Sequence, residues 1–111
     1  ACFRYERCLP GKIDVLLHGV GEDGHIASLF PGSWALDERV RSVVPVVGAK
    51  EPRERLTVTP SVIEGATRVF VLANGEAKAA VLKRVSAGTE DFHLLPACLV
   101  SKATWLLDTP I

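Results

Sequence analysis

The sequence has no methionine and few aromatic residues. Its formal net charge is zero, because 13 lysines and arginines balance 13 aspartates and glutamates. A chain without net charge has no strong field to attract nucleic acid or an anionic membrane. We therefore expect neither nucleic acid nor a membrane as a partner. Any anion that the chain binds must be held by a local cluster of residues.

Long hydrophobic runs and cysteine motifs are also missing. No apolar run approaches the ~20 residues that cross a membrane, and the first residues lack the hydrophobic segment of a signal peptide. Cys2, Cys8 and Cys98 cannot all pair within one chain, and none lies in a C-x-x-C motif. This pattern favours free thiols in a reducing compartment. The sequence therefore predicts a cytoplasmic protein with no disulfide framework, no metal site and no cofactor.

Four apolar segments have the composition of strands. They are residues 13–18, 42–47, 68–73 and 103–107. Pro45 within the second segment favours an edge or irregular strand, and residues 56–58 form a further short extended piece. Helical patterns occur over 61–65, 76–87 and 97–99, and residues 25–30 have room for one or two helical turns before Pro31.

The alternation of strands and helices predicts an α/β fold, with a Rossmann-like, mostly parallel sheet and flanking helices in a single domain over residues 1–111. A parallel sheet needs cover on both faces, and these few helices would cover it thinly. The chain also begins without a methionine. Both features favour an incomplete part of a larger domain.

The most informative segment is a glycine-rich loop directly after the first strand. Gly19, Gly21 and Gly24 satisfy the G-x-G-x-x-G pattern of dinucleotide-binding loops. Two carboxylates inside the loop would repel a pyrophosphate, and Pro31 leaves no room for the long helix whose N-terminus binds it. A dinucleotide site is therefore the disfavoured interpretation, which NAD titration would test.

A different interpretation of this loop concerns Asp23 and His25. The two residues lie two apart after a strand, where open α/β sheets bind ligands, and glycine allows the backbone to bend sharply there. A neutral imidazole can take a proton from water, and a neighbouring carboxylate can orient it. From spacing alone, a purely structural loop histidine with a capping aspartate remains open.

The segment Gly19-Val-Gly-Glu-Asp-Gly-His-Ile-Ala-Ser-Leu-Phe-Pro-Gly32 resembles the signature of the 6-phosphogluconolactonases, with Ile26 where that family usually has threonine. Further similar segments follow along the chain. They are Arg55–Thr59, Gly75–Lys78, Pro96-Ala97 and Trp105–Asp108. The resemblance covers roughly Asp14 to Asp108 and identifies the chain as the C-terminal half of such a protein.

The resemblance implies hydrolysis of 6-phospho-D-glucono-1,5-lactone to 6-phosphogluconate in the pentose phosphate pathway. It implies that His25 acts as general base and that Asp23 orients it. Backbone N–H groups around Gly21 and Gly24 would stabilise the oxyanion. No metal is required.

The resemblance also implies that Lys78, with Arg55, holds the substrate phosphate. Simpler interpretations remain open, namely a solvated Lys78 near Glu76 and a surface ion pair of Arg55 with Glu51 or Glu54. Of the other histidines, we expect His18 to be packed in its strand and His93 to be exposed in a polar loop.

Two alternative functions remain. The related glucosamine-6-phosphate isomerases/deaminases share Asp-Gly-His but carry a glutamate where this chain has Phe30, which disfavours deamination. The family is also roughly twice as long, and its N-terminal half supplies further strands and a phosphate loop. The chain is therefore either completed by that half or by a partner chain, or is a non-catalytic, truncated half-domain.

Overall fold

The computed structural model describes residues 1–108 of the chain. In chain order the helices and strands are α1 (Cys2–Cys8), β1 (Val15–His18), β2 (Val43–Val47), β3 (Glu54–Val58), α2 (Pro60–Gly65), β4 (Arg68–Ala73), α3 (Glu76–Ala87) and β5 (Thr104–Leu107). Two short 3₁₀ helices, Trp34–Asp37 and Pro96–Val100, lie in the connections. The α1 helix was not predicted from the sequence.

Three strands form a parallel sheet in the order β1-β4-β5. His18 of β1 is level with Val71 of β4, which in turn is level with Trp105 of β5. The predicted α/β class is confirmed. Because parallel strands end at the same edge, the glycine loop after β1 and the start of α3 after β4 emerge side by side. This edge carries the candidate site.

The β2 and β3 strands pair with each other in an antiparallel hairpin that forms a second, two-stranded sheet. Pro45 lies in the middle of β2 and is exposed. A strand with one free edge tolerates a proline there. The interpretation of residues 42–47 as an edge strand is thus confirmed, but this strand lies outside the parallel sheet, which has three strands within residues 1–108.

The prediction of helical turns over residues 25–30 is wrong. The segment is a reverse turn, in which Ile26 and Leu29 form an isolated bridge and the Leu29 N–H donates to the Ile26 carbonyl over 2.8 Å. Ala27 has a φ of 49°, which a right-handed helix does not allow. The turn folds Ile26 and Leu29 together into the core, where both are fully buried, and this burial outweighs local helix preference.

The two faces of the parallel sheet differ. One face packs on the core through residues such as Val71 and Ala73. The other face exposes four apolar side chains by 49–62%, namely Val15, Leu17, Leu72 and Leu106. The thin cover predicted for the sheet therefore applies to one face. Within residues 1–108, no helix has both the length and the apolar character that crossing a membrane requires.

Candidate active site

The loop after β1 is shaped by its own backbone. The Gly21 N–H donates to the His25 carbonyl over 2.8 Å, and the Gly24 N–H donates to the Gly21 carbonyl over 2.9 Å. Gly24 has a φ of 87°, a conformation that favours glycine. Both amides are thus engaged inside the loop, and the two glycines define its shape.

Asp23 and His25 form a close pair at the top of this loop. One carboxylate oxygen of Asp23, Oδ1, lies 2.6 Å from His25 Nδ1 and also accepts the His25 backbone N–H over 3.0 Å. The other ring nitrogen, Nε2, has no hydrogen-bond partner within residues 1–108. The His25 ring is therefore held at Nδ1 and free to exchange a proton at Nε2.

The charge of Asp23 is maintained by this geometry. Partial burial alone would raise the pKa of Asp23, but hydrogen bonds from the backbone and ring of His25 outweigh it, and the pKa of Asp23 is lowered. An ionised carboxylate beside Nδ1 fixes the tautomer with a proton on Nδ1 and stabilises the imidazolium once it forms. In this geometry an imidazole can accept a proton at Nε2 while a carboxylate holds the ring at Nδ1.

The pair requires a glycine at position 21. A β-carbon there would lie 2.2 Å from the His25 ring and 2.8 Å from Asp23 Oδ1. Such contacts are far inside van der Waals distance, so any side chain would push the imidazole out of place. The structure therefore explains this glycine by the close approach of the His25 ring to the backbone.

His25 and Asp23 open into a cleft of about 310 Å³. Phe30 lies against the His25 ring with 4.8 Å between ring centroids, and the Arg55 guanidinium lies 5.3 Å from the centroid of the Phe30 ring on the same cleft. Arg55 donates to the carbonyl oxygens of Pro52 over 2.7 Å and Lys50 over 3.2 Å. This places a fixed cation near the proposed base.

The alternative interpretation of Arg55, a surface ion pair with Glu51 or Glu54, is wrong within residues 1–108. Glu51 pairs with Arg53 instead, at 3.4 Å, and Arg55 forms no ion pair among residues 1–108. The β2–β3 hairpin turns Arg55 back towards the glycine loop. The guanidinium therefore has N–H donors available for an anion.

Lys78 lies in the first turn of α3, next to the glycine loop. Its ammonium group is half-buried and donates to the Val20 carbonyl. The alternative interpretation of Lys78 as a solvated residue near Glu76 is therefore wrong within residues 1–108. Lys78 is not among the residues that line the cleft of His25 and Arg55, so the structure brings it to the loop but not into that cleft.

Sequence reasoning missed Lys50, which lines the same cleft as Arg55. Lys50 lies in the β2–β3 turn and Arg55 lies in β3, and their spacing on either side of Pro52 was the available signal. Among residues 1–108, no cluster of His, Cys, Asp or Glu is arranged to hold a metal ion. His18 is 5% exposed and its burial lowers its pKa, which confirms its expected packing role.

Comparison with known proteins gives a consistent family. A sequence model described as "Glucosamine-6-phosphate isomerases/6-phosphogluconolactonase" matches residues 2–107. The 6-phosphogluconolactonases of Rattus norvegicus and Homo sapiens are each 45% identical over 100 residues, which cover 86% of this chain but 38% of those proteins.

Solved structures agree on the fold. A 6-phosphogluconolactonase from Trypanosoma cruzi has a TM-score of 0.80 at 28% identity, over 96% of this chain and 48% of that one. A monomeric glucosamine-6-phosphate deaminase has a TM-score of 0.74 at 25% identity, over 96% and 50%. The chain thus spans half or less of the length of these relatives. By sequence and by fold, it belongs to the glucosamine-6-phosphate isomerase/6-phosphogluconolactonase family.

Proposed function

We propose that this chain carries the catalytic base of a 6-phosphogluconolactonase, which hydrolyses 6-phospho-D-glucono-1,5-lactone to 6-phosphogluconate. The observation that carries the proposal is the Asp23–His25 pair, 2.6 Å apart, opening into a cleft that also holds Arg55. Relatives named 6-phosphogluconolactonase, at 45% identity, support the choice of substrate.

In the proposed reaction, Nε2 of His25 removes a proton from water while the water oxygen attacks the lactone carbonyl carbon. The tetrahedral intermediate collapses, the bond from that carbon to the ring oxygen breaks, and the imidazolium returns its proton to the departing oxygen. Asp23 stays ionised throughout and stabilises the imidazolium. The products are a carboxylic acid, which ionises at neutral pH, and an open-chain hydroxyl.

The substrate phosphate would be held by Arg55, which lines the cleft, and by Lys78, which contacts Val20 in the adjoining glycine loop. A guanidinium can offer two parallel N–H donors to a phosphate, and Arg55 is already fixed by backbone carbonyls. An ammonium has three N–H donors, so the Lys78 contact with Val20 leaves two for a ligand. Gly21 and Gly24 shape the backbone beside the lactone. Lys50 adds positive charge to the same cleft.

The proposal extends to a cytoplasmic location and to completion of the site by residues that this chain does not contain, from an N-terminal half or a partner chain. The free state of the three cysteines is consistent with a reducing compartment. Coverage of 38–50% of the relatives cited above supports a larger functional unit. Neither nucleic acid nor a metal has a role in the proposed chemistry.

The test compares two substrates on the natural protein that carries this sequence and on residues 1–111 alone. We expect hydrolysis of the lactone above its spontaneous rate and no release of ammonia from glucosamine 6-phosphate. Ammonia release without lactone hydrolysis would support the deaminase alternative instead. Absence of both activities in the natural protein would support a non-catalytic half-domain.

A further inference from the structure

His93 bridges two carboxylates on separate parts of the chain. Its Nε2 lies 2.6 Å from Asp37 Oδ1, at the end of the first 3₁₀ helix, and its Nδ1 lies 2.9 Å from Asp91 Oδ2 in its own loop. Only the imidazolium has an N–H on both nitrogens. These two carboxylates are the ionisable groups paired with His93 within residues 1–108. The exposed polar histidine predicted from sequence is instead a partly exposed bridge.

The segment that carries His93 also holds both ends of residues 24–32, the stretch that includes His25. At one end, the Ala97 N–H donates to the Gly24 carbonyl over 2.9 Å, between Asp23 and His25. At the other end, the Gly32 N–H donates to the His93 carbonyl over 2.7 Å, two residues after Phe30. Residues 91–97 therefore form a brace across the loop, which we call the 91–97 brace.

We propose that His93 is a positioning residue, because its bridge from Asp91 to Asp37 fixes the 91–97 brace against the loop that presents Asp23 and His25. The effect on turnover rests on the proposed lactonase function, but the effect on the His25 ring does not. Without the bridge, this end of the brace would be held by the hydrogen bond from the Gly32 N–H to the His93 carbonyl, and the loop would sample more orientations of His25.

The test records the imidazole NMR signals of all three histidines as a function of pH in the wild type and in Asp37→Asn. This substitution keeps the size of residue 37 and removes the charge opposite Nε2. We expect the His93 titration to move to lower pH and the His25 signal to shift or broaden. In the lactone assay, kcat should fall about tenfold with little change in KM, and Asp37→Glu should restore both readouts.

Arg84→Gln is the matched control. It removes another surface ion pair, Arg84 to Glu90 at 2.6 Å, just before the same segment, but leaves the His93 bridge intact. We expect its His25 signal to match the wild type. An unchanged His25 signal in Asp37→Asn would overturn the proposal, as would an equal change in Arg84→Gln. If neither the wild type nor any variant hydrolyses the lactone but the His25 signal responds as expected, the positioning role stands and the lactonase proposal fails.

Discussion

Leu95 occupies the space in which residue 24 would carry a side chain. A β-carbon added to Gly24 would lie 2.3 Å from Leu95 Cδ1, and Leu95 is fully buried. The backbone between Asp23 and His25 is therefore pressed directly onto the core. This contact explains how an exposed loop can hold its two polar side chains in one geometry.

We predict that Gly24→Ala lowers the free energy of unfolding by about 2–5 kcal/mol, since it combines a positive φ with a clash in the core. Gly32→Ala is the matched control, because Gly32 also has a positive φ, of 75°, but a β-carbon there would meet no atom within 4 Å. The control should lose only about 1–2 kcal/mol. Urea unfolding of both variants measures the difference, and equal losses would contradict the packing account.

We predict that Gly21→Ala lowers kcat for the lactone about 100-fold, because its methyl group would displace the His25 ring. Gly19→Ala is the control, since a β-carbon at that position meets no atom within 4 Å. Steady-state kinetics on the natural protein compares the two. A normal kcat in Gly21→Ala would mean that the position of the His25 ring is not critical.

Arg55 is predicted to act on binding of the phosphate group. Arg55→Ala should raise KM about 10–100-fold through loss of a charge-assisted contact, and Arg55→Lys should recover only part of it because an ammonium lacks the planar fork. Arg53→Ala removes a neighbouring charge that pairs with Glu51 and should change KM little. The prediction fails if the two alanine variants behave alike.

The His93 bridge should make stability depend on pH. Hydrogen bonds to Asp37 and then Asp91 raise the pKa of His93 above its ordinary 6.5, and the hydrogen bond from His93 lowers the pKa of Asp91 below 3.8. The contribution of His93 to the free energy of unfolding is therefore fully present below its ordinary pKa of 6.5. It is lost as the pH rises through the raised pKa of His93. The Asp91 contribution is lost as pH falls through its lowered value.

Chemical unfolding of wild type and His93→Gln across pH measures this contribution. The difference in free energy of unfolding between the two proteins should be greatest above the lowered pKa of Asp91 and below the raised pKa of His93. It should shrink at alkaline pH. The difference between wild type and Arg84→Gln should not follow the same alkaline decline, because a guanidinium keeps its charge there. A wild-type advantage over His93→Gln that grows as the solution becomes alkaline would have the wrong sign.

The Asp23–His25 pair could be predicted from the sequence because its signal is local. A strand, three glycines and two polar residues two apart together predict a bent loop at a sheet edge, and the structure has that loop. The turn over residues 25–30 could not be predicted in the same way. Burial of Ile26 and Leu29 in a core built by distant segments decided it.

The remaining features of the site depend on pairing between distant segments. Arg55 enters the cleft because β3 pairs with β2 in one particular register, with Val46 opposite Arg55. His93 meets Asp37 across 56 positions of the chain. Single-sequence patterns contain no information on such pairings, so Arg55 could be assigned to the cleft only through the family resemblance, and the contact of His93 with Asp37 was not predicted.

The most direct test of the central claim is the lactone turnover of His25→Ala in the natural protein, measured against the spontaneous rate. In the proposed mechanism His25 transfers a proton at Nε2, so kcat should fall about 10²–10⁴-fold, while substrate binding through Arg55 and Lys78 should change only modestly. Turnover close to that of the wild type would contradict the account, because another group would then have to activate the water.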